Sequence, residues 1–181
     1  MKLEADSRIS FPRPLVFSTY RDRLPQLVPH LPDIKEIVVK TREEDVGGQK
    51  GVTKLLNLWI GKAEIPKVAQ VVIKPEMVQW LDYATWNEND WTVEWKVETK
   101  MFTDNIKCWG KNKFVEEGGS TMLQIRGELE IDLKGVPGVP RFLAGTIAPV
   151  VEKFVVGQLK PNLLSVADGI QKFLVAESRN S

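Results

Sequence analysis

Turn pairs recurring through the middle of the chain constrain its fold more than any other feature. Glu88-Asn89, Asp104-Asn105 and Gly118-Gly119 separate stretches that alternate apolar with polar side chains. Such pairs join antiparallel strands. Once a turn is placed, the register of its hairpin follows, and with it the face on which each side chain stands. A turn at 88–89 sets Trp86 opposite Trp91, Ala84 opposite Val93, Asp82 opposite Trp95 and Trp80 opposite Val97. A turn at 104–105 sets Met101 opposite Cys108, Thr99 opposite Gly110, Val97 opposite Asn112 and Trp95 opposite Phe114. A turn at 118–119 sets Phe114 opposite Leu123, Asn112 opposite Ile125, Gly110 opposite Gly127 and Cys108 opposite Leu129. Chosen independently, the turns assign one apolar face throughout. The other face carries Thr92, Glu94, Lys96, Glu98 and Lys100 and is expected to be wet.

Around this meander the remaining elements follow from periodicity and proline. Residues 2–9 alternate as a strand with one buried face. Pro14 suits a helix start, so a helix is expected over 14–24. Pro25, Pro29 and Pro32 leave room for one further helical turn near 26–31. Stretches 34–45 and 51–61 flank Gly47-Gly48 as a hairpin, and 77–87, 90–103, 105–117 and 120–134 complete the strands. The segment 62–76 reads as irregular, or as holding one more short strand near 68–74. A loop at 135–140 leads to a short helix at 141–145 and a long one over 148–177. There Val155, Leu159, Leu163, Val166, Ile170 and Phe173 recur at helical spacing. Pro149 suits its first turn, and Pro161 is expected to kink or split it. The expectation is one α+β domain over 1–181. A curved antiparallel sheet of six or seven strands wraps a long C-terminal helix, with two short helices after the first strand.

Composition removes many chemistries. Lys plus Arg is 25 and Asp plus Glu is 24, leaving no broad field for nucleic acid. One cysteine, Cys108, and one histidine, His30, exclude a disulfide framework, a cysteine-built zinc site and a His-pair metal site. No phosphate-cradling glycine loop occurs. No metal and no cofactor are therefore expected. His30 reads as a surface or capping residue, and Cys108 as a small buried hydrophobe. No apolar run is long enough to span a bilayer, and the charged N-terminus is unlike a signal peptide. A soluble, cytoplasmic protein is expected, with at most transient membrane contact. The oligomeric state is not readable from the sequence.

The apolar face has a particular character. It carries Trp80, Trp86, Trp91, Trp95, Val97, Phe114, Leu123 and Ile125, with Phe154 and Leu163 facing it from the long helix. Gly110 and Gly127 oppose one another, marking a bend or close approach. Asp82, Thr99 and Asn112 interrupt it with polar groups. These residues line either a ligand cavity or an ordinary sheet–helix core. Asp82 either orients a ligand or acts as a base of raised pKa, or it meets water at the mouth or on a bulge. Trp59, with Val38 and Leu55, is expected to form an exposed apolar patch beside its hairpin, a possible partner contact.

One further pattern bears on the fold. The first strand leads into Phe11-Pro12-Arg13-Pro14-Leu15-Val16-Phe17-Ser18-Thr19-Tyr20-Arg21-Asp22. Leu24-Pro25 and Leu31-Pro32-Asp33-Ile34 then return the chain to the second strand. This order, with the meander and the last helix, resembles the helix-grip superfamily. That superfamily includes START lipid-transfer domains, birch-pollen-allergen-like proteins, polyketide cyclases and coenzyme-Q-binding proteins. The resemblance covers nearly the whole chain and identifies a fold rather than an activity.

The resemblance implies a cavity between sheet and helix for a lipid, sterol, quinone or polyketide, held for transport or sequestration. The ligand set expected is the inner-face set above, gated by loops near 46–50, 61–76 and 135–147. A second reading is a polyketide cyclase or aromatase, with Asp82 and then Glu116 or Thr99 as acid–base groups. A third is an interaction module with a filled core.

Overall fold

The computed structural model describes residues 1–62, 64–100, 102–132 and 141–180. Ala63, Met101 and the loop 135–140, including its expected part in a gate, lie outside the described residues. Seven strands form one antiparallel sheet in the order β1-β7-β6-β5-β4-β3-β2. They are β1 (Lys2–Ile9), β2 (Ile34–Glu44), β3 (Val52–Gly61), β4 (Gln79–Asn87), β5 (Thr92–Thr99), β6 (Ile106–Glu117) and β7 (Ser120–Ile131). After β1 come α1 (Arg13–Asp22) and a 3-10 turn over Leu24–His30. The last element is α2 (Arg141–Asn180), packed against β1, the 24–30 turn and α1.

The aromatic face is the inner one, as expected, but two of the three registers differ. The β6–β7 pairing matches the expectation, with Phe114 opposite Leu123 and Gly110 opposite Gly127. Its two-residue turn has Gly118 at φ 55° and Gly119 at φ 84°, the left-handed values a tight hairpin requires. Space around both glycines is open. Gly119→Ala is therefore expected to cost about 1 kcal/mol through the backbone alone, measured by urea denaturation.

Along β4–β5, Trp86 faces Val93 and Trp80 faces Thr99, a slip of two residues from the expected pairs. The loop takes in residues 88–91, with Trp91 itself left-handed at φ 57°. Along β5–β6, Val97 faces Cys108 and Trp95 faces Gly110, a slip of four. That loop is longer than its Asp104-Asn105 pair, because Phe102 also turns left-handed, at φ 54°. Both slips are even, so every side chain keeps its face. Thr92 is the exception to the wet face: it is buried beside the loop, where its hydroxyl donates to Asp90 Oδ1 at 2.6 Å.

Two further expectations are corrected. The segment 68–74 holds no strand. It forms 3-10 turns at Ala69–Val71 and Pro75–Met77, with Ala69 and Ile73 buried. The reason is twofold: Pro66 and Pro75 remove ladder donors, and β3 already has partners on both sides. The C-terminal region is one helix rather than two, and it passes through Pro149 and Pro161. A proline ring crowds the carbonyl four residues back. Here those positions are Gly145 and Gly157, both open to space. Each proline also leaves that carbonyl without its helical N–H donor.

The core has two parts. Under α1, Phe17 meets Trp86, Trp91 and Phe114 edge-on, with ring centroids 5.0–5.3 Å apart. Arg13 caps this cluster, its guanidinium 4.4 Å from the Trp91 ring and 3.2 Å from Glu116. Under α2, helix and sheet enclose the second part, described next.

Candidate functional site

Trp95 organises the middle of the inner face. Its indole lies over the opposed glycines: a Cβ on Gly110 would come within 2.4 Å of it, and one on Gly127 within 2.7 Å. The sheet lacks side chains there because an indole occupies the space. Trp95 Nε1 donates to Asn112 Oδ1 at 2.8 Å. Asn112 thus completes a core hydrogen bond rather than reaching toward a ligand.

Beside Trp95 lies a pocket bounded by the sheet, α1 and α2. The expected residues Trp80, Asp82, Trp86, Trp95, Val97 and Leu163 line it. So do Tyr20 and Leu24 before β2, Trp59, Ala84 and Val93 on the sheet, and Leu159, Asn162 and Val166 on α2. The cavity measures about 30 Å³, room for little more than a water molecule. A larger hollow, about 730 Å³, lies open on the outer sheet face, where Lys111 and Glu94 pair at 3.0 Å. It encloses nothing.

Seven of the expected ligand residues do not line the pocket. Trp91 and Phe114 belong to the Phe17 cluster. Thr99, Asn112, Leu123, Ile125 and Phe154 are buried in packing elsewhere. Glu116 pairs with Arg13 with its side chain about half exposed, remote from acid–base work in the pocket. Cys108 is buried and free. His30 packs beside Phe173, with ring centroids 6.2 Å apart.

Trp59 is placed opposite to expectation. It is 6% exposed, faces inward and stacks on Trp80 at 6.0 Å. Its outward neighbours are Leu56, Leu58 and Ile60, so the expected patch with Leu55 does not exist. Both faces of β3 are apolar, and alternation alone could not choose between them.

Among the described residues, Asp82 is the one acidic group lining the pocket. Asn57 Nδ2 donates to its Oδ2 at 3.1 Å. Burial pushes the carboxyl up to about 6, against the smaller opposing pull of Asn57 and Trp59. Burial and then the Asp82 charge raise the Tyr20 hydroxyl well above its ordinary range. The same causes raise the Cys108 thiol to about 12. Among the described residues, no Lys, Arg or His lines the pocket. Among the described residues, Trp86 Nε1 and Asn162 Oδ1, which belong to residues lining the pocket, are buried without a hydrogen-bond partner. Buried polar atoms of this kind call for a hydrogen-bond partner, which a water or a polar group of a ligand would supply. Among the described residues no cluster is placed to hold a metal ion, and no helix is long and apolar enough to cross a membrane.

The open seven-stranded sheet, the short helices after β1 and the long C-terminal helix define a helix-grip fold. Solved structures share it over nearly the whole chain. TTHA0849 of Thermus thermophilus is 20% identical with a TM-score of 0.65, covering 98% of this chain and 99% of that one. The Zhui aromatase/cyclase of a Streptomyces species is 13% identical with a TM-score of 0.62, covering 100% and 96%. A norcoclaurine synthase point mutant of Thalictrum flavum, in complex with a transition-state analogue, is 13% identical with a TM-score of 0.58, covering 98% and 96%. No protein-family model matches the sequence, and no curated protein is similar to it at sequence level.

Proposed function

We propose that the chain holds an apolar small molecule of the lipid, sterol, quinone or polyketide class between sheet and α2, for transport or sequestration. One observation carries this reading. A carboxylate and the unpaired polar atoms Trp86 Nε1 and Asn162 Oδ1 belong to residues that line an otherwise largely apolar, tryptophan-walled pocket. A core built only for stability would have replaced them with hydrocarbon. Burial of apolar ligand surface, worth roughly 25 cal/mol per Å², supplies the affinity. Asp82 and Asn162 supply orientation. The cavity must widen to admit such a ligand, by movement of Leu159 and Leu163 on α2.

Native mass spectrometry of the purified protein, followed by denaturation and extraction, tests this directly. The expected result is a co-purifying apolar molecule. For an empty protein, tryptophan fluorescence against a panel of lipids and polyketides follows, since four tryptophans line the pocket. If no compound perturbs them, the filled-core interaction module becomes the better reading, in keeping with the small cavity.

A second reading, catalysis, draws on Asp82. A carboxyl titrating near 6 is ionised at neutral pH and well placed to accept a proton. The fold similarity to an aromatase/cyclase favours the same reading. Full activity of Asp82→Asn on an identified substrate would end it.

A further inference from the structure

Asp82 has no cationic partner. Among the described residues lining its pocket there is no Lys, Arg or His, and the groups that hydrogen-bond to it, the Asn57 amide and the Trp59 indole N–H, are both neutral. The pocket is walled by Trp59, Trp80, Trp86, Trp95 and Tyr20. Buried charges are stable when paired, and indole rings attract organic cations. Asn162, which lines the same pocket, adds a second acceptor: it is 3% exposed, its Oδ1 has no partner among the described residues, and its Nδ2 is spent on Gln158 O at 2.6 Å. Neutral donors, the Trp86 indole N–H and the Tyr20 hydroxyl, line the pocket too, but its one full charge is the Asp82 carboxylate, which an ammonium group complements and a carboxylate or a bare hydrocarbon does not.

We propose that the ligand of this pocket is an organic amine, its ammonium donating to Asp82 and Asn162 while its apolar body lies among the indoles. This rests on the pocket being a ligand site and narrows the ligand by charge. A fatty acid is disfavoured, because its carboxylate would face Asp82 across a medium of low dielectric. Binding also carries a pH signature. The groups facing Asp82 that titrate are Tyr20 on α1 and Cys108 on β6, and both are held in their neutral forms to well above neutral pH. Asn57, Trp59 and Asn162 do not titrate. Acidification through the Asp82 range therefore removes one charge from the pocket, the one the ammonium needs.

The test compares three probes that share one body: 2-(2-naphthyl)ethylamine, 2-(2-naphthyl)ethanol and 2-naphthylacetate, by calorimetry on the full chain. At about pH 8 the amine is expected to bind at least about tenfold more tightly than the alcohol, with the carboxylate weakest. The preference is expected to shrink toward about pH 5, as Asp82 takes up its proton. Asp82→Asn, nearly isosteric, is expected to abolish the preference for amine over alcohol. Equal binding of amine and alcohol overturns the charge assignment and leaves the pocket standing. So does an amine preference that persists in Asp82→Asn, because a surface carboxylate would then be responsible. If none of the probes binds, the amine assignment falls, while the pocket as a ligand site stands or falls by the extraction and fluorescence test above. The urea midpoint of Asp82→Asn separates a lost contact from a lost fold.

Discussion

Gly110→Ala is expected to lower the unfolding free energy by about 3 kcal/mol or more, measured by urea denaturation. A Cβ there would lie 2.4 Å from both the Trp95 ring and Arg126 O, and 2.8 Å from Gly127 Cα. The first neighbour is a side chain, but it is packed and hydrogen-bonded to Asn112, and the others are backbone. None can move away cheaply. The contrast is Gly119→Ala, where a strained φ and open space produce only the backbone cost. Relief is expected from a second substitution. In Trp95→Leu the indole is gone, so adding Gly110→Ala should cost at least about 1 kcal/mol less than it does in the wild type. Strict additivity would mean that Trp95 is not what the glycine accommodates.

Asp82→Asn is expected to stabilise the protein at about pH 8 and to change little at about pH 4. Its carboxyl titrates near 6 when folded, against 3.8 ordinarily. Between those values the folded chain binds the proton more tightly than the unfolded chain. The Asp82 contribution is therefore most favourable below the lower value. It is lost as pH rises through the higher one and stays lost above it. The full shift corresponds to about 3 kcal/mol, and partial exposure of the side chain reduces this to about 2 kcal/mol. The gain is to be read from urea midpoints across the pH range. A loss of stability at high pH would show that Asp82 is paired in the folded protein. Together with the ligand test, this makes Asp82 a residue kept at a cost to the fold, as binding residues often are.

The sheet was legible because strand geometry protects parity. The Glu88-Asn89 and Asp104-Asn105 turns mislead about loop length, since Trp91 and Phe102 adopt left-handed conformations that side chains seldom take. The errors are even, and the tryptophan face survives them. The pocket was less legible. Trp59 sits on a strand apolar on both faces, and only its stacking on Trp80 decides its side. Asn162 follows a proline that reads as a break. Tyr20 could have been found, since it follows Val16 and Phe17 at helical spacing on the face of α1 that packs inward. Asn112 was misassigned because an inward polar residue on a strand does not reveal that a neighbouring indole holds it.

The Gly157–Pro161 step gives α2 a mechanical character. Leu159, Asn162 and Leu163, which close the pocket from above, stand on or just beyond a position where the helix already lacks one backbone hydrogen bond. Gly145–Pro149 repeats the omission one segment earlier. A helix without prolines must give up bonds to bend, whereas α2 already lacks one opposite each of Pro149 and Pro161. Bending of α2 at this step would therefore give up fewer backbone hydrogen bonds than bending it at a position without a proline.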